Sequence, residues 1–334
     1  MFMLRRAFLG LFAAFAFLAP TAANASPALV FEPYKGTVFY AEDPDSLWVP
    51  ASLTKMMTAY VAFHALRNGE VKPDTPAIVT KNALAEPPTK LGLPVGTSIP
   101  LETAIRVIIV KSANDVAVMV AETVGGSEEA FIDRMNEAAK RLGMTSTQFA
   151  NPHGLPNEQQ YTTARDLARL ARALIIEFPE YADIFKMKSV AVGKRQLRTH
   201  NGLLRTFNGA DGMKTGFICD SGFNIVVSAT RDGRKLVAVV LGEPSTRVRN
   251  ARAAQLLETG FKRYFWKSLF GTSLNGLAQP ADRADKPAHL RAVICGPRPK
   301  RKKTRRSDVT PDLFRLETPV TELADLPALS PAIN

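Results

Sequence analysis

Cysteine and histidine are scarce in this chain, two of one and four of the other among 334 residues. Two cysteines cannot build the disulfide framework of a small loop-rich domain, and a chain this long does not need one to bury a core. Cys219 and Cys295 can pair in an oxidising compartment, but Cys295 falls beyond the stretch expected to fold, so the bond stays open at this point. His64, His153, His200 and His289 stand apart, with no His-x-x-x-His or Cys/His pattern, so no metal site is expected. There is no Gly-rich phosphate loop, and no cofactor is expected. Past the amino terminus no segment approaches the roughly 20 apolar residues of a membrane-spanning helix.

What is present begins with Arg5 and Arg6, an apolar run from Ala7 to Ala19, and Ala23-Asn24-Ala25. A basic region, a short apolar core and an A-x-A site are the parts of a secretory signal peptide over residues 1–25, predicting an exported mature chain from Ser26. No cysteine at that site offers a lipid anchor. The net charge of +12 is uneven, since Arg298, Lys300, Arg301, Lys302, Lys303, Arg305 and Arg306 form one block, 298–306, in a Pro-rich stretch without hydrophobic periodicity. Residues 271–334 are therefore expected to be a flexible tail. Export removes the context for nucleic acid and leaves an anionic envelope surface as the partner such a block fits.

Between the ends lies one domain, 26–270. Residues 28–41 read as a hairpin around Tyr34-Lys35-Gly36, and from Ser52 to about Leu66 apolar residues recur at helical spacing. Helices are expected over 101–110, 115–124 and 128–142, and a capping box from Thr163 to Asp166 opens another. A second hairpin joins 223–229 to 236–241 through Arg231-Asp232-Gly233, followed by a helix over 249–265. Hairpin, helices, hairpin, helix is an α+β order, closed most simply by one antiparallel sheet fed from both ends of the chain.

Three short motifs fall on this frame: Ser52-Leu53-Thr54-Lys55, Ser112-Ala113-Asn114 and Lys214-Thr215-Gly216. Ser52 and Lys55 share a helix face, and serine needs a base within reach to act as a nucleophile. Lys55 can be that base if burial beside Met56 and Met57, and a second cation at Lys214, lower its pKa. Ser112 can relay a proton and the Asn114 amide can hold a carbonyl; a plain helix break capped by Asn114 or Asp115 is the alternative. Lys214 and Thr215 on an edge strand offer a cation and a hydroxyl to a carboxylate, where Gly216 lets backbones approach. Taken singly, each motif also fits an ordinary surface helix, break or turn.

Together, and with Trp48-Val49-Pro50-Ala51, Asn151-Pro152-His153-Gly154-Leu155, Tyr161-Thr162-Thr163-Ala164-Arg165-Asp166 and Asp211-Gly212-Met213, they closely resemble the D-alanyl-D-alanine carboxypeptidases among the low-molecular-mass penicillin-binding proteins. The resemblance runs from about residue 28 to 265. It implies a β-lactamase/transpeptidase-like fold, an antiparallel sheet flanked by helices with a helical lobe. It further implies Ser52 as acylated nucleophile, Lys55 as base, Ser112, Asn114 and Lys214 as catalytic partners, and Thr215, Gly216, Phe217 and Arg249 as substrate-binding residues. The backbone amides of Ser52 and Phe217 would form the oxyanion hole, and His153 is read as structural. Peptidoglycan stem peptides are the implied substrate and β-lactams the inhibitors; a DD-endopeptidase or a non-catalytic muropeptide-binding protein are the alternatives. The chain departs from the family in carrying Phe217 where histidine or tyrosine is common and Ala113 where glycine is common. Its C-terminal stretch also lacks the pattern of a β-rich second domain or an amphipathic anchor.

Overall fold

Leu236 to Leu241 is an unbroken apolar run, and alternation sends its side chains to two different cores. Leu236, Ala238 and Val240 pack with Ala28, Val30, Ile225 and Val227 on one side. Val237, Val239 and Leu241 join Leu29, Phe31 and Val226 on the other. Such a strand must lie inside a sheet covered on both faces.

The computed structural model describes residues 26–279 and 285–297. The signal-peptide reading of 1–25 and the basic block 298–306 lie outside the described residues. The strands β1 (Ala28–Phe31), β2 (Val38–Glu42), β3 (Ala210–Ile218), β4 (Gly222–Arg231) and β5 (Arg234–Glu243) form one antiparallel sheet in the order β2-β1-β5-β4-β3. The β4–β5 turn places Asp232 and Gly233 both at positive φ, 51° and 72°, as a two-residue primed hairpin turn requires.

Helices α1 (Lys55–Arg67), α2 (Leu101–Val110), α3 (Asn114–Gly125), α4 (Glu128–Arg141), α5 (Ala164–Glu177), α6 (Thr246–Lys262) and α7 (Tyr264–Phe270) complete the main architecture. Helix α6 covers one sheet face through Ala253 and Leu257, and α5 covers the other. Helix α1 is buried on nearly every side, packed among α2, α3, α4 and α5, and so joins the sheet layer to a helical lobe. Thr163 caps α5 by accepting from the Asp166 amide at 3.1 Å. The box is not closed reciprocally: Asp166 accepts instead from the Ser146 amide and the Thr147 hydroxyl, both at 2.9 Å.

The structure departs from the sequence reading at three places. Residues 51–54 form a 3-10 turn ahead of α1, because Ala51 takes a left-handed φ of 47° after Pro50. The last long helix starts at Thr246, capped by the Ser245 hydroxyl, and breaks at Arg263 before α7. The folded body also does not stop at Phe270. Leu274 is buried in the core, and the buried Arg165 guanidinium donates to the carbonyls of Leu274 (3.1 Å), Leu277 (2.8 Å) and Ala278 (3.0 Å). Cys219 and Cys295 form a disulfide, and the Leu290 amide donates to the Asp220 carbonyl at 2.9 Å, so residues 285–297 are fastened beside the end of β3. The compact unit runs to Gly296, which corrects both the boundary at 270 and the placement of Cys295 beyond the fold.

Candidate active site

Ser52 sits in the 3-10 turn that feeds α1, half-buried, with Lys55 one turn on and fully buried. Lys55 Nζ lies 3.0 Å from Ser52 Oγ, 2.8 Å from Asn114 Oδ1 and 2.6 Å from the His153 carbonyl oxygen. Burial first, and the Lys214 ammonium second, hold the Lys55 pKa well below the usual lysine range of about 10.5. Three acceptors surround a nitrogen that loses a proton easily. A neutral amine has two N–H donors and one lone pair; with the donors on Asn114 and His153, the lone pair faces Ser52.

Asn114 opens α3 and is nearly fully buried. Its side chain receives from Lys55 and donates to the Pro87 carbonyl at 2.9 Å, so it does not cap its helix. Asp115 does satisfy a first-turn amide, accepting from Val116 at 2.8 Å, and its carboxylate also accepts from the amides of Leu91 and Gly92 at 2.7 to 2.9 Å, which ties that loop to the start of α3. Ser112 takes a left-handed φ of 63°, a conformation costing a non-glycine residue about 1–3 kcal/mol, and turns its hydroxyl to Lys214.

Lys214, Thr215 and Gly216 lie inside the edge strand β3. Lys214 Nζ is buried and donates to Ser112 Oγ and the Thr215 carbonyl, both at 2.8 Å. Burial, then the nearby Arg249 guanidinium, lower its pKa from 10.5 to about 7. Burial brings Arg249 down to about 10. A Cβ on Gly216 would meet the Pro50 carbonyl oxygen at 3.0 Å and the Ser52 amide nitrogen at 3.2 Å, so glycine here lets the edge strand press against the serine turn.

Ser52, Ser112, Thr215, Gly216, Phe217 and Arg249 line one cleft of about 320 Å³, with Lys55 and Lys214 beneath them. The structure thus brings every expected site residue to one place. Phe217 stacks on Phe223, ring centroids 4.2 Å apart, and keeps an exposed face. His153 contributes its carbonyl to Lys55, while its ring accepts from the Leu155 amide at 3.2 Å and lies 3.4 Å from Glu86. Sequence reasoning missed His200, Thr89, Phe223 and Thr246, which also border the cleft. None carries a motif of its own. Burial and the Lys214 charge lower the His200 pKa below its usual 6.5.

An antiparallel sheet meeting a helical lobe, with a serine–lysine pair in the cleft between them, is the fold of the penicillin-binding proteins and transpeptidases. The solved structure of penicillin binding protein 5 from Haemophilus influenzae matches with a TM-score of 0.69 and 33% identity over 73% of each chain. Within that class the chain belongs to the D-alanyl-D-alanine carboxypeptidase family, whose model matches residues 14–245. D-alanyl-D-alanine carboxypeptidase DacC of Escherichia coli K12 is 37% identical over 268 residues, 77% of this chain and 67% of the relative. D-alanyl-D-alanine carboxypeptidase DacA of Haemophilus influenzae is 34% identical over 251 residues, 73% of this chain and 64% of the relative. The match thus leaves about a third of each relative's length uncovered.

Proposed function

We propose that the protein is an exported serine-type D-alanyl-D-alanine carboxypeptidase that removes the terminal D-alanine from peptidoglycan pentapeptide stems. The observation that carries this reading is the buried Lys55 amine, held below its usual pKa and 3.0 Å from Ser52 Oγ at the floor of a cationic cleft. Neutral Lys55 takes the Ser52 proton as Oγ bonds to the carbonyl carbon of the penultimate D-alanine. The developing oxyanion is received by the backbone amides of Ser52 and Phe217, next to the positive start of α1. As the C–N bond breaks, the proton that Lys55 took from Ser52 passes on to the departing D-alanine nitrogen, with the Ser112 hydroxyl as relay, and Lys55 is neutral again. Water then adds to the ester, releases the shortened peptide and restores Ser52.

Lys214, Thr215 and Arg249 are suited to the substrate's terminal carboxylate, because two buried cations repel each other until an anion arrives. A penicillin offers the same relation of carbonyl to carboxylate. The family relation and the penicillin-binding name of the structural neighbour support acylation of Ser52 by β-lactams. No class A deacylating glutamate motif follows Asn114 in the sequence, so the adduct is expected to be long-lived. The basic block 298–306 is proposed to rest on an anionic envelope surface.

Incubation with a pentapeptide stem and, separately, with crosslinked muropeptides tests the assignment by product analysis. Free D-alanine from the pentapeptide is expected. Cleavage confined to crosslinks would make the protein an endopeptidase, and no cleavage of either would make it a binding protein.

A further inference from the structure

Helix α7 turns its apolar side away from the protein. Phe265, Trp266, Leu269 and Phe270 are 63%, 67%, 61% and 80% exposed. Their spacing of i, i+1, i+4 and i+5 puts all four on one side of the helix. Phe265 and Trp266 pack edge to face on each other, 5.4 Å between centroids, rather than on the body.

The helix is firmly held in this pose. Tyr264 packs inward on Phe39, the rings tilted with centroids 5.3 Å apart, and just beyond the helix the Val38 amide donates to the Thr272 carbonyl at 2.7 Å and the Leu274 amide to the Gly36 carbonyl at 2.9 Å. The β1–β2 hairpin therefore grips both ends of the segment. Lys262, Arg263 and Lys267 are exposed beside the apolar residues, and among the described residues none of the three pairs with a carboxylate.

We infer that this face docks on the surface of an anionic phospholipid bilayer. Aromatic and leucine side chains on a short helix, rimmed by lysine and arginine, suit the boundary between headgroups and acyl chains. The basic stems reach along the apolar surface and leave their charges at phosphate level. A second copy of the chain is a poorer occupant, because a two-fold contact would bring Lys262, Arg263 and Lys267 towards their own equivalents in a chain of net charge +12. Docking through α7 is separate from the cleft, whose residues it does not use, and from the block 298–306.

Trp266 supplies the probe. The chain has two tryptophans, and the other, Trp48, is 3% exposed. The full chain is mixed with phosphatidylglycerol-containing vesicles, with pure phosphatidylcholine vesicles, and with vesicles whose acyl chains are brominated near the headgroup. Blue-shifted and bromine-quenched emission is expected with the anionic vesicles. The triple variant Phe265→Ser/Leu269→Ser/Phe270→Ser is expected to partition at least about tenfold more weakly while taking up labelled penicillin normally, since three large apolar contacts are lost. Co-flotation without quenching would assign binding to another surface such as 298–306 and overturn the inference. So would absence of binding, unchanged partition of the triple variant, or a dimer in sedimentation that the same variant dissolves.

Discussion

A Cβ on Gly154 would stand 1.8 Å from the Ala51 carbonyl oxygen, so the loop after His153 is wedged against the turn that presents Ser52. Gly154 holds φ at 91° and its amide donates to Asn151 Oδ1 at 2.7 Å, while the preceding carbonyl receives Lys55. This contact ties the lysine's position to the serine's. Gly154→Ala is expected to push the turn away, cost on the order of 3 kcal/mol or more, and sharply reduce penicillin labelling. A variant with parental melting temperature and labelling rate would show that the two loops are independent.

Lys55→Arg keeps a positive charge and removes the proposed base, because guanidinium does not become neutral at ordinary pH. Acylation by labelled penicillin is expected to fall about 10²–10⁴-fold. In the parent, acylation should rise with pH as Lys55 sheds its proton, and this ascending limb should vanish in the variant. An identical pH profile in both proteins would take Lys55 out of the proton transfer.

Burial of Lys214 costs stability. Its folded pKa of about 7 lies below the 10.5 of an unfolded lysine, so between these values the unfolded chain carries the proton and the folded one does not. Stability from this group therefore rises with pH across that window, and the full penalty, on the order of 5 kcal/mol, applies below about 7. Lys214→Met is expected to be nearly inactive yet to melt several degrees higher at pH 6, about 2–4 °C for each kcal/mol gained. The advantage should fade towards pH 10. Greater destabilisation at pH 6 than at pH 10 would reverse the sign of this argument.

The C-terminal fastenings predict two different responses. Truncation after Gly271 removes Leu274 and the three carbonyls that receive the Arg165 guanidinium, leaving that buried cation with Asp45 alone, and should severely destabilise the fold. Truncation after Gln279 keeps them and should leave penicillin labelling intact. Reducing the Cys219–Cys295 bond should expose residues 285–297 to protease well before the core opens. Equal melting temperatures for the two truncations would deny Arg165 its structural role.

The candidate site's motifs are legible in the sequence because their contacts are local. Ser52 and Lys55 meet within one turn, Asp232-Gly233 names its own hairpin turn, and Thr163 caps its helix from three residues away. What stayed hidden depends on backbone atoms or on distant closure. Arg165 binds three carbonyls, which any sequence could supply, and nothing in Cys295 indicates that the chain returns to Asp220. His153 reads as structural from its motif, and the atom it turns to Lys55 is its carbonyl oxygen, which the side chain does not reveal. Helical apolar spacing continues through Leu53, so the 3-10 turn ahead of α1 leaves no mark in the sequence; it shows only where the left-handed Ala51 meets Gly154.

The most direct test is the intact mass of the protein after incubation with benzylpenicillin, followed by peptide mapping of the adduct. One penicilloyl group on the peptide containing Ser52, absent from Ser52→Ala, is the expected result. No adduct, or an equal adduct on Ser52→Ala, would contradict the assignment of Ser52 as the nucleophile.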